Sequence, residues 1–211
     1  MKKMGDLEAC ALVKRYGLKL PKQALAGNSK QAVAAARKIG YPVSVKVASV
    51  DIVHKTEAGG LALNLKSDRE VEKAFGRIMK SCRKKARVDG VLVQEHLEGQ
   101  EVIIGSKVDE TFGPVVMFGL GGIFVEVLKD VSFRLAPITK KEAREMISEI
   151  KGYPLLKGVR GRKPVDMKAL EDTLVAVSRL ASKEKRVKEL DINPLFATDR
   201  AAVASDVRIL V

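Results

Sequence analysis

Hydrophobic positions along this chain recur with two different periods, one near 3.6 residues and one of two residues. The helical period predicts amphipathic helices over residues 7–16, 32–39, 68–79, 139–150 and 165–180. We expect Ser29 to begin the second helix and Ser67 or Asp68 to begin the third. Gly17 and Gly40 are expected to end the first and second helices, because glycine tolerates the backbone conformation found at helix ends. The helical period therefore predicts five helices, distributed along the length of the chain.

The two-residue period predicts strands over residues 42–47, 61–65, 90–97, 101–105, 115–118, 131–135, 189–196 and 202–209. We expect the strands at 90–97 and 101–105 to form an antiparallel pair joined across residues 98–100. Helices and strands interleave in the first half, and strands open the second half. The sequence thus predicts an α+β protein with two lobes, residues 1–96 and 97–211, and a ligand cleft between them.

Composition is that of an ordinary globular protein. The chain has 211 residues, of which 46% are hydrophobic, so it can bury a sizeable core. No run approaches the roughly 20 apolar residues that span a bilayer, and the lysines near the start precede no apolar signal segment. Cys10 and Cys82 are too few and too far apart to indicate disulfides or a zinc site. We therefore expect a cytoplasmic protein without a membrane association.

Charge is the compositional outlier, since 39 Lys and Arg against 26 Asp and Glu leave a net charge of +13. Such a surplus makes nucleic acid a natural candidate partner. Aromatic residues are only 4% of the chain, Trp is absent and no nucleic-acid-binding motif is present, so binding would rest on phosphate contacts alone. The surplus is explained equally well by solvated helix faces, an acidic partner subunit or a polyphosphate ligand. We therefore expect no nucleic-acid partner.

The segment from Lys46 to Gly60 carries the first chemical signal. Lys46 ends an apolar run, and His54 follows beside Lys55, Glu57 and a glycine pair. Lysine holds a phosphate as a point charge, glycines let backbone N–H groups approach an anion, and neutral imidazole is a competent nucleophile. A loop histidine next to lysine is also typical of a solvated surface residue. The segment alone therefore leaves both interpretations open.

Short oxygen ligands in the closing strands give a second signal. Asp191 and Asn193 share a strand face because strand side chains alternate, and Asp206 lies in the last predicted strand. Carboxylate and amide oxygens suit Mg²⁺, which takes its remaining ligands from water and phosphate. The alternative is that Asn193 only begins a turn that Asp206 caps.

A glycine cluster after an apolar strand gives a third signal, at residues 118–126. Backbone N–H groups of such turns often receive phosphates, so Gly121 and Gly122 are candidate phosphate contacts. The cluster lacks the Lys-Ser/Thr ending of a P-loop and the spacing of a dinucleotide fingerprint. A tight strand connection explains it equally well.

Taken in order, these segments resemble a known family over nearly the whole chain, at residues 41–46, 51–60, 93–95, 118–122, 130–137 and 191–195. The chain resembles the β subunit of ADP-forming acyl-CoA synthetases, typified by acetate–CoA ligase. That subunit has an ATP-grasp fold related to the succinyl-CoA synthetase β chain. The His-Lys-x-x-x-Gly-Gly element and its distance from Lys46 are specific to this group, whereas the Asn-Pro element is shared more widely.

The resemblance implies a two-lobed ATP-grasp domain that closes on a nucleotide. Lys46 would contact phosphates, Gln94 and Glu95 would face the adenine, and Glu101 or Glu98 would lie near the ribose. In the same way, Asn193 and Asp206 would hold Mg²⁺.

His54 would be the histidine that is phosphorylated and passes its phosphoryl group to ADP. Glu57 or Asp51 could orient its ring. Two residues depart from the family pattern, because His96 replaces an apolar residue and Asp191 replaces a glutamate.

The implied reaction is acyl-CoA + ADP + phosphate ⇌ carboxylate + CoA + ATP, of which this chain would run the phosphohistidine-to-nucleotide half. The CoA-binding domain of such enzymes is absent here, so the resemblance implies a CoA-binding α subunit and an α2β2 heterotetramer. Two other classes stay open. One is an ATP-grasp carboxylate ligase in which His54 is incidental, and the other is a basic module that binds nucleic acid or a partner surface.

Overall fold

The computed structural model describes residues 1–122, 129–159, 161 and 163–211. The described helices are α1 Asp6–Arg15, α2 Ser29–Ile39, α3 Asp68–Cys82, α4 Lys140–Glu149, α5 Tyr153–Leu156 and α6 Met167–Lys183. The described strands are β1 Gln23–Ala26, β2 Val43–Ala48, β3 Leu61–Leu65, β4 Gly90–Glu95, β5 Gln100–Asp109, β6 Gly113–Leu120, β7 Val131–Leu135, β8 Glu189–Ala197, β9 Ala202–Ala204 and β10 Val207–Leu210. The predicted α+β class is confirmed. No helix in these ranges has the length and apolar character needed to cross a membrane.

Local side-chain caps explain where several helices begin. The side chain of Ser67 accepts a hydrogen bond from the backbone N–H of Glu70 and so begins α3, as predicted. The prediction for α2 was wrong by one residue, since Asn28 rather than Ser29 accepts the hydrogen bond from Gln31, at 2.9 Å. Gly40 ends α2 with a φ of +99°, a conformation that favours glycine.

The chain divides into two compact units, one inserted into the other. The inserted unit is Pro21–Leu97, and the discontinuous unit joins Met1–Leu20 to Glu98–Val211. The predicted division into residues 1–96 and 97–211 places the first twenty residues in the first lobe, whereas here they belong to the discontinuous unit. They pair with the far end of the chain, because the N–H of Lys2 donates to the carbonyl of Val211 at 2.8 Å.

The inserted unit is a four-stranded antiparallel sheet in the order β1-β4-β2-β3, with α2 and α3 against it. Alternate residues of β2 and β4 enter its core, together with apolar residues of both helices. The largest fully buried side chain of this core is Ile78 of α3. The predicted pairing of residues 90–97 with 101–105 was wrong, since β4 pairs with β1 and β2 while β5 belongs to the other unit. Both strands are apolar, so their pattern carried no information on their partners.

The discontinuous unit has an antiparallel sheet in the order β10-β8-β5-β6-β7, with β9 also paired to β8. Its core lies where α4 and α6 pack on this sheet, around Phe118, Ile104 and Leu174. Residues that alternate with these core positions point to the opposite face, which we call the distal face. Glu101, Lys107, Met117 and Phe133 lie on the distal face and are exposed or half-buried.

Candidate functional site

His54 lies in the connection between β2 and β3, and its side chain is exposed. Its carbonyl accepts a hydrogen bond from the N–H of Ala58 at 3.1 Å, so residues 54–58 form a single helix-like turn. We call residues 53–57 the His54 arc. Within the arc, Val53, Thr56 and Glu57 are exposed and Lys55 is buried. The arc therefore presents the imidazole to solvent from an ordered turn.

The end of the arc is shaped by the glycine pair. Gly59 has a φ of +70°, which only glycine adopts readily. A Cβ on Gly60 would lie 2.4 Å from Cγ1 of Val47, so this position admits no side chain without displacement. Gly60 also donates its N–H to the carbonyl of Lys55 at 2.7 Å and accepts from the N–H of Val47 at 2.7 Å. The two glycines thus return the chain tightly to the sheet.

The carboxylates expected to orient His54 take other positions. The Asp51 carboxylate accepts the backbone N–H of Arg87 at 3.0 Å. Glu57 is exposed, and within the described residues the His54 ring makes no side-chain hydrogen bond. Asp51 is therefore part of the framework of this connection, and the orientation of the imidazole by Glu57 stays a prediction.

Lys46 and Gln94 share one face of the inserted unit's sheet. Val45 and Val47 enter the core, so Lys46 points to the other face, away from α2 and α3. Ser44 is the registered partner of Gln94, and Lys46 lies two residues further along the same strand. Cross-strand diagonal neighbours of this kind are roughly 7–8 Å apart, within reach of long side chains. Two residues assigned to the nucleotide are thereby brought together.

Other residues near the end of β4 have identifiable partners. The Gln94 side chain donates to Oε1 of Gln23 at 3.4 Å. The Glu95 carboxylate accepts the N–H of Lys22 at 3.3 Å. Alternation along β4 directs the Glu95 side chain away from the face that carries Gln94, so the two side chains do not share a surface. His96, the departure from the family pattern, places Nδ1 3.0 Å from the Ser44 hydroxyl.

On the discontinuous unit, Glu101 and Gly121 are neighbours. The N–H of Gly121 donates to the Glu101 carbonyl at 2.9 Å, and a Cβ on Gly121 would lie 3.0 Å from Cβ of Glu101. Gly122 has a φ of +64°. The rest of the predicted glycine-rich segment, residues 123–126, lies outside the described residues. A cleft of about 520 Å³ borders Glu98, at the start of β5, and reaches Asp199 and Lys163.

Asn193 and Asp206 lie directly opposite each other on β8 and the β9–β10 connection. The N–H of Asn193 donates to the Asp206 carbonyl at 3.2 Å. Both residues alternate with core positions, namely Ile192 and Val207, so their side chains share the distal face. Asn193 and Pro194 form a bulge against β5, where two residues of β8 oppose Ile103. Proline fits this bulge because it has no N–H to donate to the ladder.

Asn193 and Asp206 together fit a magnesium site. Their amide and carboxylate oxygens are hard donors on one face, where Asn193 is exposed and Asp206 half-buried. Mg²⁺ needs only one or two protein oxygens when phosphate and water supply the rest. In the described part of the chain, no group of three His, Cys, Asp or Glu could hold a metal by itself. Asp191 shares this face and has the Arg208 guanidinium 3.5 Å from its carboxylate.

Asp130, which follows the glycine cluster, binds the backbone of a distant segment. It is buried, and its two carboxylate oxygens accept the N–H groups of Lys151 and Gly152, each at 2.7 Å. The sequence did not reveal this contact, nor the hydrogen bonds of Ser49 and Ser81 around the His54 arc. All three depend on backbone groups distant in sequence, for which no local pattern exists.

Comparison with known proteins assigns the chain to a class. A family model described as the ATP-grasp domain matches residues 2–211. The structure of acetyl-coenzyme A synthetase 1 from Ca. Korarchaeum cryptofilum, in complex with coenzyme A, Ca-AMPCP and HgCl+, superimposes with a TM-score of 0.96. It is 41% identical and covers 100% of this chain, which covers 93% of that one. The chain is thus an ATP-grasp protein.

Curated relatives narrow the assignment within that class. The β subunit of ADP-forming acetate–CoA ligase I from Pyrococcus furiosus is 50% identical over 208 residues, which are 97% of this chain and 90% of the relative. The chain belongs to this family of β subunits of ADP-forming acyl-CoA synthetases. The ADP-forming 4-hydroxybutyrate–CoA ligase of Nitrosopumilus maritimus is 51% identical over 92% of this chain, but the match spans only 28% of that longer protein.

Two further structures of the Korarchaeum synthetase describe a phosphohistidine segment. In one, with Mg-AMPPCP, the segment points towards the nucleotide binding site, with a TM-score of 0.87 and 40% identity over 100% of this chain and 93% of that chain. In the other, the segment is phosphorylated and in a site I orientation, with a TM-score of 0.88 and 40% identity over 99% of this chain and 93% of that chain.

Proposed function

We propose that this chain is the nucleotide-binding β subunit of an ADP-forming acyl-CoA synthetase, in which His54 carries the phosphoryl group to ADP. The observation that carries the proposal is the exposed imidazole on an ordered, glycine-bounded arc, in a chain 50% identical to an acetate–CoA ligase β subunit. The proposed reaction is acyl-CoA + ADP + phosphate ⇌ carboxylate + CoA + ATP. This chain runs its phosphohistidine-to-nucleotide half.

In that half-reaction, the N–P bond of phosphohistidine breaks and an O–P bond to the terminal phosphate of ADP forms. The electron pair of the broken bond returns to the ring nitrogen, which leaves a neutral imidazole. Phosphoryl transfer needs little covalent help from the protein, so positioning and charge neutralisation carry the catalysis. Lys46 supplies a fixed cation for the phosphates on the face that also carries Gln94.

The remaining nucleotide contacts follow the assignments made from the sequence. Gln94 and the backbone of Glu95 face the base, Glu101 serves the ribose, and Gly121 and Gly122 offer backbone N–H groups to phosphate. Asn193 and Asp206 hold Mg²⁺, which supplies charge neutralisation along the transfer when it is bound. Asp191 pairs with the Arg208 guanidinium, so that the charges of the two side chains balance each other on this face.

The activity needs a second, CoA-binding subunit. The 4-hydroxybutyrate–CoA ligase of N. maritimus carries a region like this chain within a polypeptide more than three times as long, since the match spans 28% of it. The P. furiosus relative is instead a separate β subunit. We therefore assign the chain a CoA-binding α subunit as partner, in an α2β2 heterotetramer, and expect no acyl-CoA turnover by the isolated chain.

The experiment is labelling of the full chain with Mg²⁺ and γ-³²P-ATP. Phosphohistidine is acid-labile and survives alkali, so the wild type should form an acid-labile adduct, and His54→Ala should form none. ATP binding by His54→Ala should stay within a few fold of the wild type, because the imidazole receives the phosphoryl group and is not proposed to bind the nucleotide.

His96→Ala is the matched control, because it removes the other histidine of the chain from a site bonded to Ser44. It should label like the wild type. An adduct that survives His54→Ala and disappears in His96→Ala would overturn the assignment. A wild type that binds ATP and forms no adduct would favour a carboxylate ligase in which His54 is incidental.

A further inference from the structure

Both ends of the His54 arc are attached to the same short stretch of chain. This stretch runs from the last turn of α3 to the residues before β4, and it includes Ser81, Cys82 and Arg87. The N–H groups of Lys85 and Ala86 both donate to the Cys82 carbonyl, so the stretch is itself an ordered turn. Both ends of the exposed segment that carries His54 are therefore attached to one ordered turn.

The first end is held by two side chains. The Ser49 hydroxyl donates to the Arg87 carbonyl at 2.6 Å and accepts the N–H groups of Asp51 and Ile52 at 3.1 and 3.3 Å. The Asp51 carboxylate accepts the Arg87 N–H at 3.0 Å. Arg87 is thus bound through both of its backbone groups. Ser49 and Ile52 are buried, so water does not readily replace the hydrogen bonds of Ser49, whereas Asp51 and Arg87 are exposed.

The second end is held at Ala58. Its carbonyl accepts the Ser81 hydroxyl at 2.9 Å and lies 3.6 Å from the Cys82 sulfur. Gly59 follows with its positive φ, and a Cβ there would lie 3.0 Å from the Ser81 oxygen. The residues between the two ends, 53–57, are those of the arc.

We propose that Ser49, Asp51 and Ser81 form a clasp that fixes both ends of the His54 arc, so that they act as positioning residues for phosphoryl transfer. The inference rests on the proposed function. In this chain the clasp confines reorientation to residues 53–57 and keeps the arc from detaching from the unit.

The expected cost of opening the clasp follows from geometry. A bound reactive group misplaced by about 1 Å can lose roughly a hundredfold in rate, because transfer requires in-line approach. Removing the Asp51 carboxylate frees one of two attachments to Arg87 and leaves those of Ser49. We therefore expect Asp51→Ala to slow the labelling of His54 by ATP about tenfold, a fraction of that limit.

The test compares three variants of the full chain by γ-³²P-ATP labelling. Asp51→Ala should label about tenfold more slowly and reach the same final fraction of labelled protein. Asp51→Asn keeps a carbonyl oxygen for the Arg87 N–H and should recover the rate to within about twofold. Asp89→Ala is the matched control, since Asp89 is an exposed aspartate two residues beyond Arg87 and its side chain takes no part in the clasp. It should label like the wild type.

Hydrogen exchange supplies a second measurement that does not depend on activity. In Ser49→Ala, the amides of Asp51 and Ile52 lose the hydroxyl that accepts their hydrogen bonds and should exchange faster, whereas those of Val45 and Val93 in the sheet should not change. The clasp is refuted if Asp51→Ala labels as fast as Asp89→Ala, if rate and final labelled fraction fall together, or if exchange accelerates throughout the inserted unit. An unlabelled wild type would overturn the proposed function, and unchanged exchange at the amides of Asp51 and Ile52 would still refute the clasp on its own.

Discussion

Asp130 tests whether a residue next to the glycine cluster serves structure or chemistry. Its buried carboxylate accepts two backbone N–H groups at 2.7 Å, from Lys151 and Gly152, just before α5. Gly152 admits no side chain, because a Cβ there would lie 2.1 Å from Cδ1 of Leu120. We expect Asp130→Ala to destabilise the discontinuous unit, since both N–H groups would lose their acceptor where water has little access.

The magnitude follows from the number and kind of bonds. Hydrogen bonds to a charged group contribute about 1.5–3 kcal/mol each, so losing two costs roughly 3–6 kcal/mol. For a protein of this size, 1 kcal/mol corresponds to about 2–4 °C in melting temperature. At the lower limit of about 3 kcal/mol, the melting temperature of the discontinuous unit should therefore decrease by about 6–12 °C.

Asp109→Ala is the matched control for this experiment. The Asp109 carboxylate also accepts two N–H groups, from Thr111 and Phe112 at 2.9 Å, but in an exposed turn. These two hydrogen bonds hold the pKa of Asp109 below its usual value. Water can replace the exposed carboxylate, so we expect a much smaller decrease in melting temperature than for Asp130→Ala.

Differential scanning calorimetry of the two variants and the wild type provides the measurement, with the transitions of the two units fitted separately. A melting temperature for Asp130→Ala that equals that of Asp109→Ala would refute the structural role. Loss of His54 labelling in a fully stable Asp130→Ala variant would instead assign Asp130 to the chemistry.

Two more outcomes follow. Asp206→Ala should abolish transfer to ADP and weaken Mn²⁺ binding in the presence of nucleotide, because it removes one of two opposed oxygen ligands. The circular dichroism spectrum should stay unchanged, since Asp206 lies outside the hydrophobic core. Unchanged activity at saturating Mg²⁺ would contradict this prediction. Burial and the hydrogen bond to Asp68 raise the pKa of Tyr41 to about 12 from 10.0, so its contribution to stability is present below pH 10 and is lost between about pH 10 and 12. Tyr41→Phe should reduce that loss in melting curves recorded across this pH range, and identical curves would refute it.

The sequence predicted the parts of the fold that depend on local pattern. α3 and β3 have strong periods and clear end signals, and both occur where they were expected. The placement of Asn193 opposite Asp206 could also be predicted, since the predicted strands are close in sequence and a hairpin brings such residues together. Strand β1 was missed because its four residues at a sheet edge are mostly only partly buried and carry little alternation.

Long-range relations could not be read in the same way. β4 and β5 are both apolar runs separated by a short connection, which is also how a hairpin would look. Their assignment to different sheets depends on competing partners, namely β1 and β2 for one and β6 and β8 for the other. The clasp residues were equally hidden, because Ser49 and Arg87 are 38 positions apart and meet through a backbone carbonyl.

The insertion of one unit into the other fixes an order of folding during synthesis. Residues Pro21–Leu97 contain every strand of their own sheet, so this unit can fold as soon as it has left the ribosome. α1 is made before the inserted unit but packs against β10, which is made after it, so the discontinuous unit can be completed only later. The turn that carries His54 is therefore formed before the hairpin that carries Asn193 and Asp206. A mutation that slows pairing of the closing strands would therefore prolong a state in which the turn of His54 is folded and the hairpin of Asn193 and Asp206 is not.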